Sequence, residues 1–226
     1  KLRKIKKMID ENQRDMELPH NDEEMITLIK THQHLKQLEM DLFGYNKSDK
    51  EVTLENAQQI AGLKILFDFI SKEEEKELLN NIDKSAWLTD LKRRVQHYGY
   101  KYDYKARRID QSFFIGEIPN WMKFLSDRLQ QQNIIDFIPD QAIINEYIDD
   151  QGIAPHIDCE PCFGDTIISI SLGGQCVMNF QKEQTSIEQD KVPLLIQPKT
   201  LIVMTGESRF NWFHGIVGRK TDKFNG

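Results

Sequence analysis

Asn145-Glu-Tyr-Ile-Asp-Asp-Gln-Gly-Ile-Ala-Pro-His-Ile-Asp158 is the stretch around which the rest of the chain arranges itself. His156 and Asp158 stand two apart. In an extended segment residues i and i+2 share a face, so this imidazole and carboxylate converge on one point. Asn145 and Tyr147 repeat the spacing at the other end of the stretch. A lone His-x-Asp is common by chance, and either residue serves equally well as a hydrogen-bonded core group or a turn former. A third group changes the weighing. His214 follows Asp158 by 56 residues, inside Arg209-Phe-Asn-Trp-Phe-His-Gly-Ile216. That run holds enough aromatic and branched residues to read as a buried strand. Two imidazoles and one carboxylate with positions left open form the donor set of non-haem Fe(II) oxygenase sites.

Outward from this stretch, short strands dominate the C-terminal half. They are expected at about 142–148, 154–158, 166–172, 175–180, 193–197, 200–205 and 210–217, parted by Gly173-Gly174, a polar excursion from Lys182 to Lys191, and Pro198-Lys199. Seven strands with such turn signals read as a double-sheet jelly roll with a sheltered interior. On the N-terminal side, Leu63 to Ile70 reads as strand-like, with Trp87 and Leu88 packed beneath the helix that follows it. Ser71-x-x-Glu74 is a capping box opening that helix, from Lys72 to about Lys84. Met122, Leu125 and Leu129 give Trp121 to Gln132 helical spacing. Residues 1–45 read as a helical extension: a basic amphipathic start, a break at Pro19, then Leu28, Leu35 and Leu42 at a seven-residue period. A packing or protein-contact role suits its nearly balanced charge. His32 and His34, two apart on a helix, read as solvated. Residues 46–62 are polar and read as a linker, leaving 63–226 as the main domain.

The 226 residues suit one medium domain plus an appendage, and a net charge of -6 means any nucleic-acid binding must come from a local patch. No apolar run approaches 18 residues, so no membrane span or signal peptide is expected. Three cysteines without a secretory signal predict a reducing, cytoplasmic setting. Cys159-Glu-Pro-Cys162 is a lone CxxC, a weak zinc or redox signal, and Cys159 is expected as a reduced packing thiol. The chain opens on Lys1 rather than Met and closes on a polar tail, so the expectation is a sequence cut at both ends.

The local patch is residues 91–108. Lys92, Arg93, Arg94, Lys101, Lys105, Arg107 and Arg108 face one acid, Asp103, while Tyr98, Tyr100, Tyr102 and Tyr104 alternate. On an extended segment those tyrosines line one face. Such a face stacks on bases while the cations engage phosphates; a two-sided ribbon with a tyrosine core is the other reading. His97 reads as a phosphate or lid contact.

Asn145-x-Tyr147, Pro155-His156-Ile157-Asp158, Thr205-Gly206-Glu207-Ser208-Arg209 and Trp212-x-His214-Gly215-Ile216, in this order over about residues 60–222, resemble the AlkB family of Fe(II)/2-oxoglutarate dioxygenases. The resemblance implies an α+β fold, a double-stranded β-helix (jelly roll) flanked by helices, with the N-terminal helical extension outside it. It implies iron held by His156, Asp158 and His214, 2-oxoglutarate bonded by Asn145 and Tyr147, and O2 as co-reactant. It further implies oxidative removal of N-methyl groups from bases of alkylated single-stranded DNA or RNA. Glu160 matches an acid that reads a base amine in repair-type members. Arg93, Arg94, His97, Tyr98, Tyr100 and Tyr102 fall in a segment similar to the family's nucleotide-recognition lid. The same phrases resemble tRNA wobble-uridine hydroxylases, and a catalytically impaired nucleic-acid-binding remnant is the third reading. AlkB-type enzymes anchor the cosubstrate's far carboxylate with an arginine well after the distal histidine, yet only 12 residues follow His214. Arg209 and Arg219, each five away, have the wrong parity on a regular strand; Lys220 has the right one. The expectation is a domain lacking its final strand, with cosubstrate binding weaker by about 2–5 kcal/mol.

Overall fold

The computed structural model describes residues 48–89, 91–148, 150–185, 187–220 and 224. The chain divides into two units, Lys1–Ser48 and Asp49–Gly226. The readings for residues 1–45 lie outside the described residues.

Ten strands and four α-helices are described. The strands are β1 (Leu63–Leu66), β2 (Arg94–Tyr100), β3 (Phe114–Gly116), β4 (Ala142–Glu146), β5 (Ile153–His156), β6 (Thr166–Ile170), β7 (Cys176–Gln181), β8 (Val192–Ile196), β9 (Leu201–Thr205) and β10 (Phe213–Ile216). The helices are α1 (Asp49–Gln58), α2 (Lys72–Lys84), α3 (Asn120–Gln131) and α4 (Gly206–Phe210). From β5 onward the chain passes back and forth between two layers. One layer is a four-stranded sheet in the order β5-β10-β7-β8; the other contains β1-β9-β6, and a third sheet is β3-β2-β4. This is the expected α+β jelly roll. Among the described residues no helix is long and apolar enough to cross a membrane.

Two apolar clusters hold the layers. In one, Phe69, Ile70, Leu78, Ile82, Met122 and Leu129 bring α2 and α3 against Leu201 and Val203 of β9. In the other, Phe180, Leu194, Ile196, Ile202, Met204 and Trp212 fill the space beside the putting-together of β7, β8 and β9, closed by Ala57 and Ile60. Burying one such side chain is worth about 1.5–3 kcal/mol. Trp87 joins the first cluster as expected, whereas Leu88 bridges to Val95 and stays 37% exposed.

The segment read as a linker is instead a structural element. Within 46–62, Asp49–Gln58 is helical and packs on β8. β8 is an edge strand, and an uncovered edge presents unpaired backbone groups. Thr53 Oγ1 accepts from the Leu195 N–H, and the Asn56 amide donates to the Pro193 carbonyl at 2.8 Å. The helix thus covers the sheet edge with polar contacts, its buried residues being the small Thr53 and Ala57.

The capping box at α2 forms as its sequence predicts: the Glu74 N–H donates to Ser71 Oγ and the Ser71 N–H donates to Glu74 Oε2. Arg128 of α3 donates to both the Phe69 carbonyl and Glu74. That guanidinium first, and the Ser71 N–H next, hold the Glu74 carboxyl down at about 2, against an ordinary 4.5. Because the folded value is the lower one, this stabilisation is complete above pH 4.5 and is lost as pH falls toward 2. Glu74→Gln is expected to cost about 1 kcal/mol at neutral pH, discounted for screening. Urea unfolding at neutral pH and at pH 3.5 should show the difference from wild type shrinking in acid; an undiminished difference there would contradict the pairing.

Candidate active site

The 56-residue gap between Asp158 and His214 closes through strand pairing. β10 runs antiparallel to β5 with His214 opposite His156, so the two rings lie 4.4 Å apart between centroids. Directly opposed residues project from the same face of a sheet. Gly215 makes the close approach possible: a Cβ there would lie 2.9 Å from the Ile153 carbonyl oxygen and the Pro155 nitrogen. Gly206, with φ +51, supplies the left-handed backbone at the start of α4.

Asp158 turns one oxygen to each imidazole, with Oδ1 3.8 Å from His156 Nε2 and Oδ2 3.7 Å from His214 Nε2. One donor atom from each residue falls within 4.8 Å of the others. His156 Nδ1 lies 2.9 Å from the Ala154 carbonyl, which fixes the tautomer with the proton on Nδ1 and leaves the Nε2 lone pair toward Asp158. Burial, then the charge of His156, pushes His214 down to about 4, so its ring is neutral at physiological pH. His214 Nδ1 is buried without a partner. Two imidazoles and a carboxylate, with one donor atom of each gathered at one point, fit a divalent iron ion.

Arg209, which sequence parity set on a regular strand and turned away from the ligands, is helical instead. It lies in α4, is 2% exposed, and is a fully buried cation. Its guanidinium donates to the carbonyls of Asp158 at 3.0 Å, Gly164 at 3.1 Å and Phe163 at 3.4 Å. It clamps the loop that begins at a metal-site residue. Nothing in the sequence marks this arginine as a donor to loop carbonyls, because its partners lie 45 to 51 residues away.

The sequence model of the 2OG-Fe(II) oxygenase superfamily matches residues 80–225. The chain is 34% identical over 181 residues to the uncharacterized protein L905 of Acanthamoeba polyphaga mimivirus, spanning 78% of this chain and 83% of that protein. It is 37% identical over 166 residues to the tRNA (carboxymethyluridine(34)-5-O)-methyltransferase alkbh8 of Xenopus tropicalis, covering 71% of this chain but only 26% of that longer protein. This chain is an AlkB-family 2-oxoglutarate oxygenase. The fold agrees: OsALKBH1 superimposes with a TM-score of 0.56 at 15% identity, over 69% of this chain and 84% of that one. The cofactor set of such an AlkB-family oxygenase is Fe(II), 2-oxoglutarate and O2.

Residues 91–108 are arranged differently from the single tyrosine face expected of them. β2 ends at Tyr100, and Gly99, with φ +77, shifts the register there and breaks the alternation. Tyr98 packs edge-on against Trp121 in the core and donates its hydroxyl to Gln96. Tyr100 lies against Phe114 of β3, and Tyr102 against Tyr104 and Phe163. The stripe is therefore three separate contacts. His97 Nδ1 accepts the Tyr102 N–H at 3.2 Å, which holds the segment after β2 from within; burial, then Lys101, lowers its pKa. Arg94 forms a two-pronged pair with Glu146 and stacks on Trp87, 4.5 Å from the ring centroid. Arg94 and Tyr98, read from the sequence as nucleic-acid contacts, are thus engaged within the protein by Glu146 and Trp87 and by Gln96 and Trp121.

Arg93 turns toward Asn145 and Tyr147, donating from Nε to Asn145 Oδ1 at 2.8 Å. Glu160 is exposed and, with Arg107, lines a cavity of about 330 Å³ beside Asp158. Cys159 and Cys162 are joined as a disulfide, where a reduced packing thiol was expected, and both sulfurs lie against the Arg107 carbonyl at 3.3 and 3.2 Å. Residues three apart in a tight turn bring their side chains together, and Cys162 and Phe163 N–H groups both reach back to the Cys159 carbonyl.

Proposed function

We propose that this chain oxidises a carbon substituent on a base of single-stranded DNA or RNA, and that N-methyl groups are removed by it. The observation that carries the reading is the joining of the cationic, aromatic segment to the metal-site loop: Tyr102 packs on Phe163, and the Arg107 carbonyl rests on Cys159 and Cys162. A substrate strand bound by Lys101, Lys105, Arg107 and Arg108 would deliver a base to the cavity between Arg107 and Glu160.

Bound iron and 2-oxoglutarate supply the oxidation: one oxygen atom of O2 enters the substrate C–H bond, the other enters succinate, and CO2 leaves. His156, Asp158 and His214 hold the metal. Asn145 and Tyr147 hold the cosubstrate, and the Glu160 carboxylate accepts a hydrogen bond from an exocyclic amine. An N-hydroxymethyl product then loses formaldehyde, and the nitrogen regains its proton.

A second reading has its own observation. The Xenopus relative is named for a carboxymethyluridine of tRNA, and Glu160 is exposed rather than enclosed around a base. A hydroxyl placed on a carbon joined to ring carbon has no leaving path, so that product is a stable alcohol. Mass spectrometry of methylated oligonucleotides and of modified tRNA decides. Formaldehyde with loss of the methyl group establishes the first reading; a retained extra oxygen on a tRNA uridine establishes the second. Neither product, with no succinate formed, would contradict both and leave the binding remnant.

A further inference from the structure

A 2-oxoglutarate oxygenase must hold a dianion beside a metal that already carries one protein carboxylate. Such a pocket needs a positive group of its own. Three arginines reach this region. Arg209 spends its donors on three loop carbonyls. Arg107 lines the outer cavity with Glu160. Arg93 stands at the foot of β2, where Val95 pairs with Asn145 of β4.

The Arg93 guanidinium lies 5.8 Å from the centre of the Tyr147 ring and 5.7 Å from that of Tyr104. Its neighbour Arg94 turns to Glu146 and Trp87 instead, as strand alternation demands. An asparagine amide has one accepting oxygen and a donating NH2. Arg93 occupies the oxygen of Asn145, and among the described residues no protein partner is seen for the amide nitrogen. Asn145 is exposed, so that nitrogen is open to a ligand. Arg93 thus reaches both residues that the proposed function assigns to 2-oxoglutarate, Asn145 and Tyr147.

We propose that Arg93 is a positioning and specificity residue of the cosubstrate site. It fixes the Asn145 amide with its nitrogen toward the ligand and supplies positive charge to a carboxylate of 2-oxoglutarate. This rests on the oxygenase reading, and it moves Arg93 from the nucleic-acid surface to the cosubstrate.

The test is anaerobic titration of the Fe(II)-loaded protein with 2-oxoglutarate, followed by its visible charge-transfer band, and with pyruvate, which lacks the far carboxylate. Arg93→Ala is expected to raise the 2-oxoglutarate Kd about 10–100-fold while Fe(II) affinity changes by less than about threefold. Arg93→Lys should recover part of the loss. The preference for 2-oxoglutarate over pyruvate should shrink in Arg93→Ala, which a merely structural role would not produce. An unchanged Kd, with weaker oligonucleotide binding and a salt slope smaller by about one, would overturn the proposal in favour of a phosphate contact. Loss of iron binding in both variants would overturn it in favour of a structural role. A wild-type protein with no band at all would overturn the oxygenase reading itself.

Discussion

Asp158→Ala is expected to abolish turnover and to weaken Fe(II) binding by more than the roughly 10–100-fold seen when only a metal ligand's supporting hydrogen bond is lost. Asp158 is the sole carboxylate of the triad, and it faces both imidazoles at 3.7 and 3.8 Å. Without it the site keeps two imidazole rings 4.4 Å apart, with no negative charge to balance a divalent cation. The fold should survive, because Asp158 lies beyond the end of β5 and its carbonyl, not its side chain, receives Arg209. Isothermal titration with Fe(II) under argon, beside a thermal melt, separates the two effects. Iron affinity close to wild type in a folded Asp158→Ala protein would contradict the assignment.

Arg209→Ala is expected to have the largest effect on stability, a loss of about 3–5 kcal/mol, since it strips the partner from buried polar groups. Three carbonyls in the loop 158–164 lose their donor together. The guanidinium also packs over Phe210, 4.9 Å from its ring centroid, so packing is lost with the charge. Arg209→Lys keeps the charge but offers a single ammonium to carbonyls that now receive a planar fork, and it should recover only part of the loss. Because one carbonyl belongs to Asp158, both variants should also bind iron more weakly than their stability alone accounts for. Guanidinium chloride unfolding of the metal-free proteins is the check. A destabilisation under about 1 kcal/mol for Arg209→Ala would contradict a role as loop clamp.

The metal site was legible because it is written in short spacings. His156-x-Asp158 is an i, i+2 pair, and the apolar run around His214 marks a strand; only the register that sets His214 opposite His156 needed the fold. The capping box of α2 was equally legible, being local chemistry within four residues. What the sequence concealed are contacts between distant polar groups. α1 carries no apolar stripe, since the residues it buries are Thr53 and Ala57, so it reads as a polar linker although it covers the β8 edge. The tyrosine face failed at one residue: alternation assumes an unbroken strand, and Gly99 breaks it. The sequence reads Arg94 as a nucleic-acid contact and Arg209 as a strand residue turned from the ligands because their partners, Glu146 and the 158–164 carbonyls, lie 52 and 45 to 51 residues away.

Anaerobic titration of Fe(II) and 2-oxoglutarate into the wild-type protein and into His214→Ala tests the central claim most directly, read through the visible charge-transfer absorption of the chelated keto acid. A saturable band in the wild type that is missing in the variant is the predicted result. No band in a folded wild-type protein, or a band that persists without His214, would contradict a metal centre built from His156, Asp158 and His214.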